Sequence, residues 1–347
     1  MKKLLNTLYV SSDRYLSLDG ENVVISAVSD EERRQEVGRV PLHNLEGIVT
    51  FGYTGASPAL MGQCARRNIS LSFLTQSGRF LARVVGESYG NVLFRKAQYE
   101  MVEDPARSLE IAKSFITGKI FNARWVLERA IRDYSLRLDV ETLRAKSAFL
   151  QSSLREVQTA RDMPSLRGVE GEAASVYFSV FGNLILQQKD AFAFRGRSKR
   201  PPLDNINAML SFAYVLLTGM CVSALETVGL DPYAGFLHTD RPGRASLALD
   251  LVEEFRNVLA DRFVLTLINR KVLTPSGFVT KENGAVLMTE DARRAFLAAW
   301  QTRKQEQLTH PFLNEKMEWG MVPYVQALLL ARYVRGDLDA YPPFLWK

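Results

Sequence analysis

Three scattered side chains of this sequence carry the chemistry of a divalent metal site: Glu170, His238 and Glu253. Two carboxylates and one imidazole suit a hard-to-borderline cation such as Mg²⁺ or Mn²⁺, which keeps positions open for water and phosphate oxygens. If the three converge, the chain handles phosphodiesters. Spacing alone does not bring them together, so each must be weighed in the element that holds it.

Glu253 lies in Ser246-Leu247-Ala248-Leu249-Asp250-Leu251-Val252-Glu253-Glu254-Phe255-Arg256. At helical spacing Leu251, Val252, Phe255, Val258 and Leu259 share a core face, and Asp250, Glu253 and Glu254 project the other way. The ordinary fate of such an acidic face is solvation. His238 changes that reading, because Asp240-Arg241-Pro242-Gly243-Arg244 is short enough to fold its ring back over the helix start. The other two histidines, His43 and His310, have no comparable carboxylate neighbours.

Glu170 opens another helix among small residues, Gly168, Gly171, Ala173 and Ala174, which permit close approach by a second helix or by a phosphate. Glu172 competes with it, two positions on and facing elsewhere. The residues alone do not choose between them. The run Arg195-Gly196-Arg197-Ser198-Lys199-Arg200 places four cations in six residues. An exposed loop of that charge neutralises phosphates without reading bases. Lys113, Lys119, Arg124, Arg129, Arg132 and Arg137 read as the polar face of a helix.

The elements that must position these groups change character along the chain. Residues 1–88 are β-rich: runs at Leu4–Val10, Tyr15–Leu18, Asn22–Ile25, Gly38–Leu42, Leu45–Val49, Ile69–Phe73 and Phe80–Val85, with Asp19-Gly20 marking a hairpin turn. Ser57-Pro58 begins a short helix, with Ser57 as N-cap. Residues 89–105 read as a linker. From 106 to 347 the period is helical, with Ile116, Ile120, Ala123, Leu127 and Ile131 stepping by three or four. The fold class expected is α+β, a small N-terminal β-rich domain followed by a larger all-α C-terminal domain.

At 347 residues, two domains are the default. The net charge of +6 leans towards a polyanionic partner, though weakly over this length. Two cysteines, Cys64 and Cys221, argue against a disulfide scaffold and a cysteine zinc site, and fit a cytoplasmic protein. The N-terminus lacks a sustained apolar core and a small-residue cleavage site, so no secretory signal is expected. Residues 206–225 are apolar enough to span a membrane. Asn207, Ser211, Tyr214, Thr218 and Ser223 interrupt them, and the mean hydropathy of −0.08 favours a buried central helix and no membrane.

Four ordered motifs resemble one family: Arg167-Gly168-Val169-Glu170-Gly171; Pro201-Pro202-Leu203-Asp204-Asn205-Ile206-Asn207; Gly235-Phe236-Leu237-His238; and Gly243 through Arg256. It is the CRISPR-associated integrase of spacer acquisition, the first core Cas protein (Cas one), and the N-terminal half looks most like its type I-C version. The resemblance covers nearly the whole chain. It implies a metal-dependent DNA endonuclease and integrase with Mg²⁺ or Mn²⁺ held by Glu170, His238 and Glu253. Asp250 takes a secondary role, and Glu170 is selected over Glu172. The third ligand is Asp in some relatives and Glu here. The implied partners are DNA, as prespacer fragments and CRISPR repeat, a second copy in a homodimer, and the second core Cas protein (Cas two). Arg195, Arg197, Lys199 and Arg200 are candidate DNA contacts. A stand-alone metal nuclease and a non-catalytic DNA-binding scaffold are the alternative readings.

Overall fold

The structure is a computed structural model that describes residues 6–10, 14–28, 34–75, 80–87, 92–198 and 200–347. Leu4 and Leu5 of the first expected strand, the start of the expected linker and Lys199 lie outside the described residues. The chain divides into two compact units, Met1–Tyr89 and Gly90–Lys347.

The first unit holds strands β1 (Thr7–Val10), β2 (Arg14–Asp19), β3 (Asn22–Val28), β4 (Arg34–Pro41), β5 (Gly47–Phe51), β6 (Ser70–Leu74) and β7 (Phe80–Arg83), with helix α1 (Pro58–Arg66) before β6. One sheet has the order β2-β3-β4, all antiparallel; the other runs β1-β5-β6-β7, parallel except for β7. The β2–β3 hairpin closes through Gly20, whose φ of +56° is the backbone such a two-residue turn requires. The start of α1 follows its sequence signal, with Pro58 in the first turn and Ser57 Oγ accepting the Leu60 N–H at 3.2 Å. Leu16 and Val23 from one sheet, Ile48 and Leu71 from the other, and Leu60 and Cys64 from α1 share one core.

The second unit contains α2 (Val92–Glu103), α3 (Pro105–Tyr134), α4 (Val140–Thr159), α5 (Met163–Ser179), α6 (Asn205–Thr227), α7 (Ser246–Phe255) and α8 (Arg262–Asn269). After them come the strands β8 (Phe278–Thr280) and β9 (Val286–Met288), α9 (Glu290–Gln305), β10 (Gln307–Thr309), β11 (Lys316–Glu318) and α10 (Val322–Val334). A π-helical turn over residues 256–261 joins α7 to α8. Helix α3 is the axis: α4, α5 and α7 all pack on it, and its Ile116, Ile120, Ala123, Leu127 and Ile131 are buried as their period predicts.

Two expectations need correction, the linker and the place of Glu170 in its helix. Residues 89–105 are not a bare linker, since they carry α2. Its buried Gln98 amide donates to the Asp231 and Ala234 carbonyls at 2.9 and 3.2 Å and accepts the Asp231 N–H at 2.9 Å, which binds α2 to the second unit. As the expected fold class requires, that unit is mostly helical, with two short hairpins. Its hairpins β8–β9 and β10–β11 have strands of three residues, too short to establish a period of two. Helix α5 starts at Met163, capped by Asp162, so Glu170 lies mid-helix rather than at its start. Helix α6 is long and apolar enough to cross a membrane, but most of it is buried within the unit, including the polar Asn207.

Candidate active site

Helix α7 carries no solvated acidic face. Apart from Leu249 every residue from Ser246 to Phe255 is buried, and Asp250 and Glu254 are sealed from solvent. The three carboxylates are tolerated because each has a separate set of partners, as burial of an ionisable group demands.

Asp250 gathers the loop before the helix. Its carboxylate accepts the backbone N–H groups of Phe236 at 2.7 Å, Leu237 at 3.0 Å and His238 at 2.9 Å. The His238 ring completes the set, with Nδ1 2.6 Å from Asp250 Oδ1. A carboxylate can only accept, so Nδ1 carries the hydrogen and Nε2 keeps its lone pair for a ligand. Gly235 makes this turn possible: a Cβ there would stand 2.6 Å from Ser246 Cβ and 2.8 Å from the Ser246 carbonyl carbon. From α5, Arg167 donates to the Leu237 carbonyl at 2.5 Å and to Thr239 Oγ1 at 3.2 Å, so the His238 loop is tied to the helix that bears Glu170.

Lys119 joins the two remaining candidates. Its ammonium pairs with Glu170 Oε1 and lies 2.6 Å from Glu253 Oε2. The Lys119 side chain is only 7% exposed, Glu253 10% and Glu170 27%. Arg256 adds a second cation, with one guanidinium nitrogen 3.1 Å from both Glu253 oxygens and its plane over the Tyr214 ring at 4.7 Å. Burial pushes the Glu253 carboxyl up, but Arg256, Lys119 and His238 outweigh it and hold the group far below the usual carboxylate range. Gly118 lets α3 come this close to α7, since a Cβ there would meet Glu254 Cγ at 3.0 Å. Asn122, one turn on, fastens the same crossing by donating to the Glu254 and Phe344 carbonyls at 2.7 and 2.8 Å.

The ammonium is thus a stand-in cation between two carboxylates, and the His238 ring held by Asp250 lies close enough to Glu253 to act on its charge. That donor set fits a divalent ion, and Lys119 marks the point where positive charge is wanted. Among the described residues no three His, Cys, Asp or Glu side chains already surround one point as ligands. Lys119 and Arg167 are the residues the sequence reading missed. The signal for Lys119 was present: with Ile116, Ile120 and Ala123 it completes a stripe at helical spacing, so it belongs to the buried face of α3 rather than to its polar one.

The other candidates separate. Glu172 is exposed. Glu254 is a structural acid, accepting Tyr341 Oη at 2.6 Å, Phe344 N at 2.8 Å and Gln326 Nε2 at 2.9 Å. His310 is fully buried and hydrogen-bonded to the same Gln326 at 3.1 Å. Arg197 is half-buried and engaged within its own unit. It donates to Asn207 Oδ1 and the Ser198 carbonyl at 2.6 Å each, and its guanidinium lies 5.1 Å from the Tyr214 ring centre. Arg195 and Arg200 are exposed.

Two expectations for measurement arise here. Burial pushes the Glu254 carboxyl up to about 8, against the hydrogen bonds from Tyr341, Phe344 and Gln326. A raised acid stabilises the fold fully below its ordinary value of 4.5, and that contribution is lost as pH rises towards 8. Relative to Glu254→Gln, which mimics the protonated acid, the wild type should lose about 1.4 kcal/mol per pH unit across this window. Melting curves of both proteins from pH 5 to pH 9 test it, and parallel curves would refute it. At Gly171 an added Cβ meets nothing within 4 Å among the described residues, so none of their helices uses the small residue. Gly171→Ala should therefore stabilise α5 by about 0.5–1 kcal/mol. A lowered melting temperature would contradict that.

Comparison with known proteins identifies the family. Residues 8–302 match the family model described as CRISPR associated protein Cas1. The sequence is 53% identical, over 352 aligned positions spanning both chains completely, to the CRISPR-associated endonuclease Cas1 2 of Rhodospirillum rubrum. Among solved structures, a casposase bound to integration product shares the fold with a TM-score of 0.83 at 24% identity, covering 98% of this chain and 94% of that one. A chain of a Cas6-RT-Cas1–Cas2 complex gives a TM-score of 0.80 at 21% identity, covering 99% of this chain and 36% of the other. The chain belongs to the Cas1 family of CRISPR-associated proteins.

Proposed function

We propose that this protein is a metal-dependent DNA endonuclease and integrase that inserts short foreign DNA fragments into a CRISPR array. The observation that carries the reading is the bridge of positive charge between Glu170 and Glu253 beside an imidazole held with its Nε2 free, on a chain of the Cas1 family. Glu170, His238 and Glu253 would hold Mg²⁺ or Mn²⁺. When bound, such an ion polarises the scissile phosphate and makes a 3′-hydroxyl or a water a better nucleophile.

The chain's own residues prepare that chemistry. Asp250 fixes the tautomer and direction of His238, and Arg167 holds the loop against α5. Glu253 stays ionised because Arg256 and Lys119 face it. His238 acts as a ligand rather than as a general base, since an imidazole bound to metal through Nε2 has no lone pair left there to take a proton. Arg195 and Arg200 remain candidates for phosphate contact, whereas Arg197 shapes the loop that carries them. The protein works with DNA, as a homodimer together with the small second core Cas protein, Cas2, in the manner of a type I-C system in the cytoplasm. Two buried free cysteines, Cys64 and Cys221, fit a reducing compartment.

The test is a joining assay with a labelled 3′-OH fragment and a repeat-containing plasmid in Mg²⁺ or Mn²⁺. Covalent transfer of the label supports integration. Nicking without transfer identifies a stand-alone nuclease, and metal-independent binding without turnover identifies a scaffold.

A further inference from the structure

We infer that Lys119 is a built-in competitor for the metal site: its ammonium holds the Glu170–Glu253 bridge in the metal-free protein and must yield that position when a divalent ion binds. The inference rests on the metal reading of this site. Three observations carry it. The ammonium touches both carboxylates, so it occupies the space between them rather than a flank. It is nearly sealed from water, so its attraction to them is only weakly screened. Its helix cannot retreat, because Gly118 is in contact with α7 and Asn122 is bonded across the same crossing. Relief must come from rotation of the lysine side chain.

The charges explain why a competitor is useful. Glu170, Glu253 and Asp250 bring three negative charges, against one each from Lys119 and Arg256. Without metal, Lys119 prevents two carboxylates from repelling one another at a partly buried site. With a divalent ion added, a bridging ammonium would be a like charge at contact distance. The lysine therefore weakens metal binding to the free protein. Turned out of the bridge, it is a free cation beside the place where a DNA phosphate would enter.

The experiment compares wild-type protein, Lys119→Met and His238→Ala by titration with Mn²⁺, read by electron paramagnetic resonance of the free ion, and by melting with chelator or with saturating Mn²⁺. Lys119→Met should bind Mn²⁺ about tenfold or more tightly than wild type, melt lower in chelator, and recover most of that deficit with Mn²⁺. Unchanged or weaker affinity, or equal loss of melting temperature in both conditions, would overturn the inference and leave Lys119 a packing residue. If Lys119→Met does not fold, wild-type protein decides: amine labelling of Lys119, read by mass spectrometry, should quicken when Mn²⁺ is added, and an unchanged rate overturns the proposal. Wild type and His238→Ala binding Mn²⁺ equally would refute the metal site itself, and this inference with it.

Discussion

Replacing Glu170, His238 or Glu253 singly with alanine is expected to lower strand joining by at least about a thousandfold, because under the proposed metal-dependent function each would remove a donor to an ion that supplies several kcal/mol of transition-state charge stabilisation. DNA binding should survive, since affinity for DNA comes mainly from phosphate neutralisation spread over many cations. The three variants should differ in stability. Glu170 is partly exposed, and its loss leaves Lys119 paired with Glu253. Loss of Glu253 leaves Lys119 with Glu170 alone and removes the carboxylate that pairs with the largely buried Arg256, so Glu253→Ala should melt lowest of the three. Joining and gel-shift assays on the purified proteins check both halves. Any one of them joining within about tenfold of wild type would remove that residue from the ligand set.

Asp250→Ala should be the most damaging change at a residue outside the ligand set. It leaves three backbone N–H groups and the His238 Nδ1–H without their acceptor in a fully buried place, at a cost of roughly 3–5 kcal/mol. Asp250→Asn separates folding from positioning. The amide keeps the volume and one good acceptor, but its NH₂ group confronts hydrogens where the carboxylate met them with oxygen. His238 is then free to turn or to change tautomer, so Mn²⁺ affinity should fall about 10- to 100-fold even where the protein remains folded. Wild-type Mn²⁺ affinity and joining in Asp250→Asn would show that the hydrogen bond to the ring does nothing for the site.

The two roles on α7 were only partly legible in advance. Asp250 and Glu253 stand out because carboxylates recur one turn apart on a helix whose other face is apolar, and His238 because its loop is short. Geometry of that kind depends on a few residues of chain. Their burial did not show, because it is imposed by α3 and α6, whose helices come from elsewhere in the sequence. Lys119 illustrates the same limit. Its place in an apolar stripe was visible, but a lysine there can reach outward to water or inward to a partner, and only the arrival of α5 and α7 settles which. Arg197 failed in the opposite direction: four cations in a run suggest an exposed loop, and Asn207 and Tyr214 on the next helix drew one of them in.

Local spacing therefore settled what depends on near neighbours: the strands and Ser57-capped helix of the first unit, the long amphipathic helix α3 and the buried nature of α6; it also singled out three side chains whose chemistry suits one divalent ion. The motifs placed the chain in its family because they preserve local order and spacing. Tertiary structure alone decided that Glu170 and Glu253 share one ammonium, that Asp250 rather than solvent holds His238, and that Glu254 serves the fold. Those outcomes join residues far apart along the chain, such as Lys119 and Glu253. Burial at such distances is set by how α3, α5 and α7 pack, and a charged side chain takes its pairing from whatever partner the packing leaves within reach.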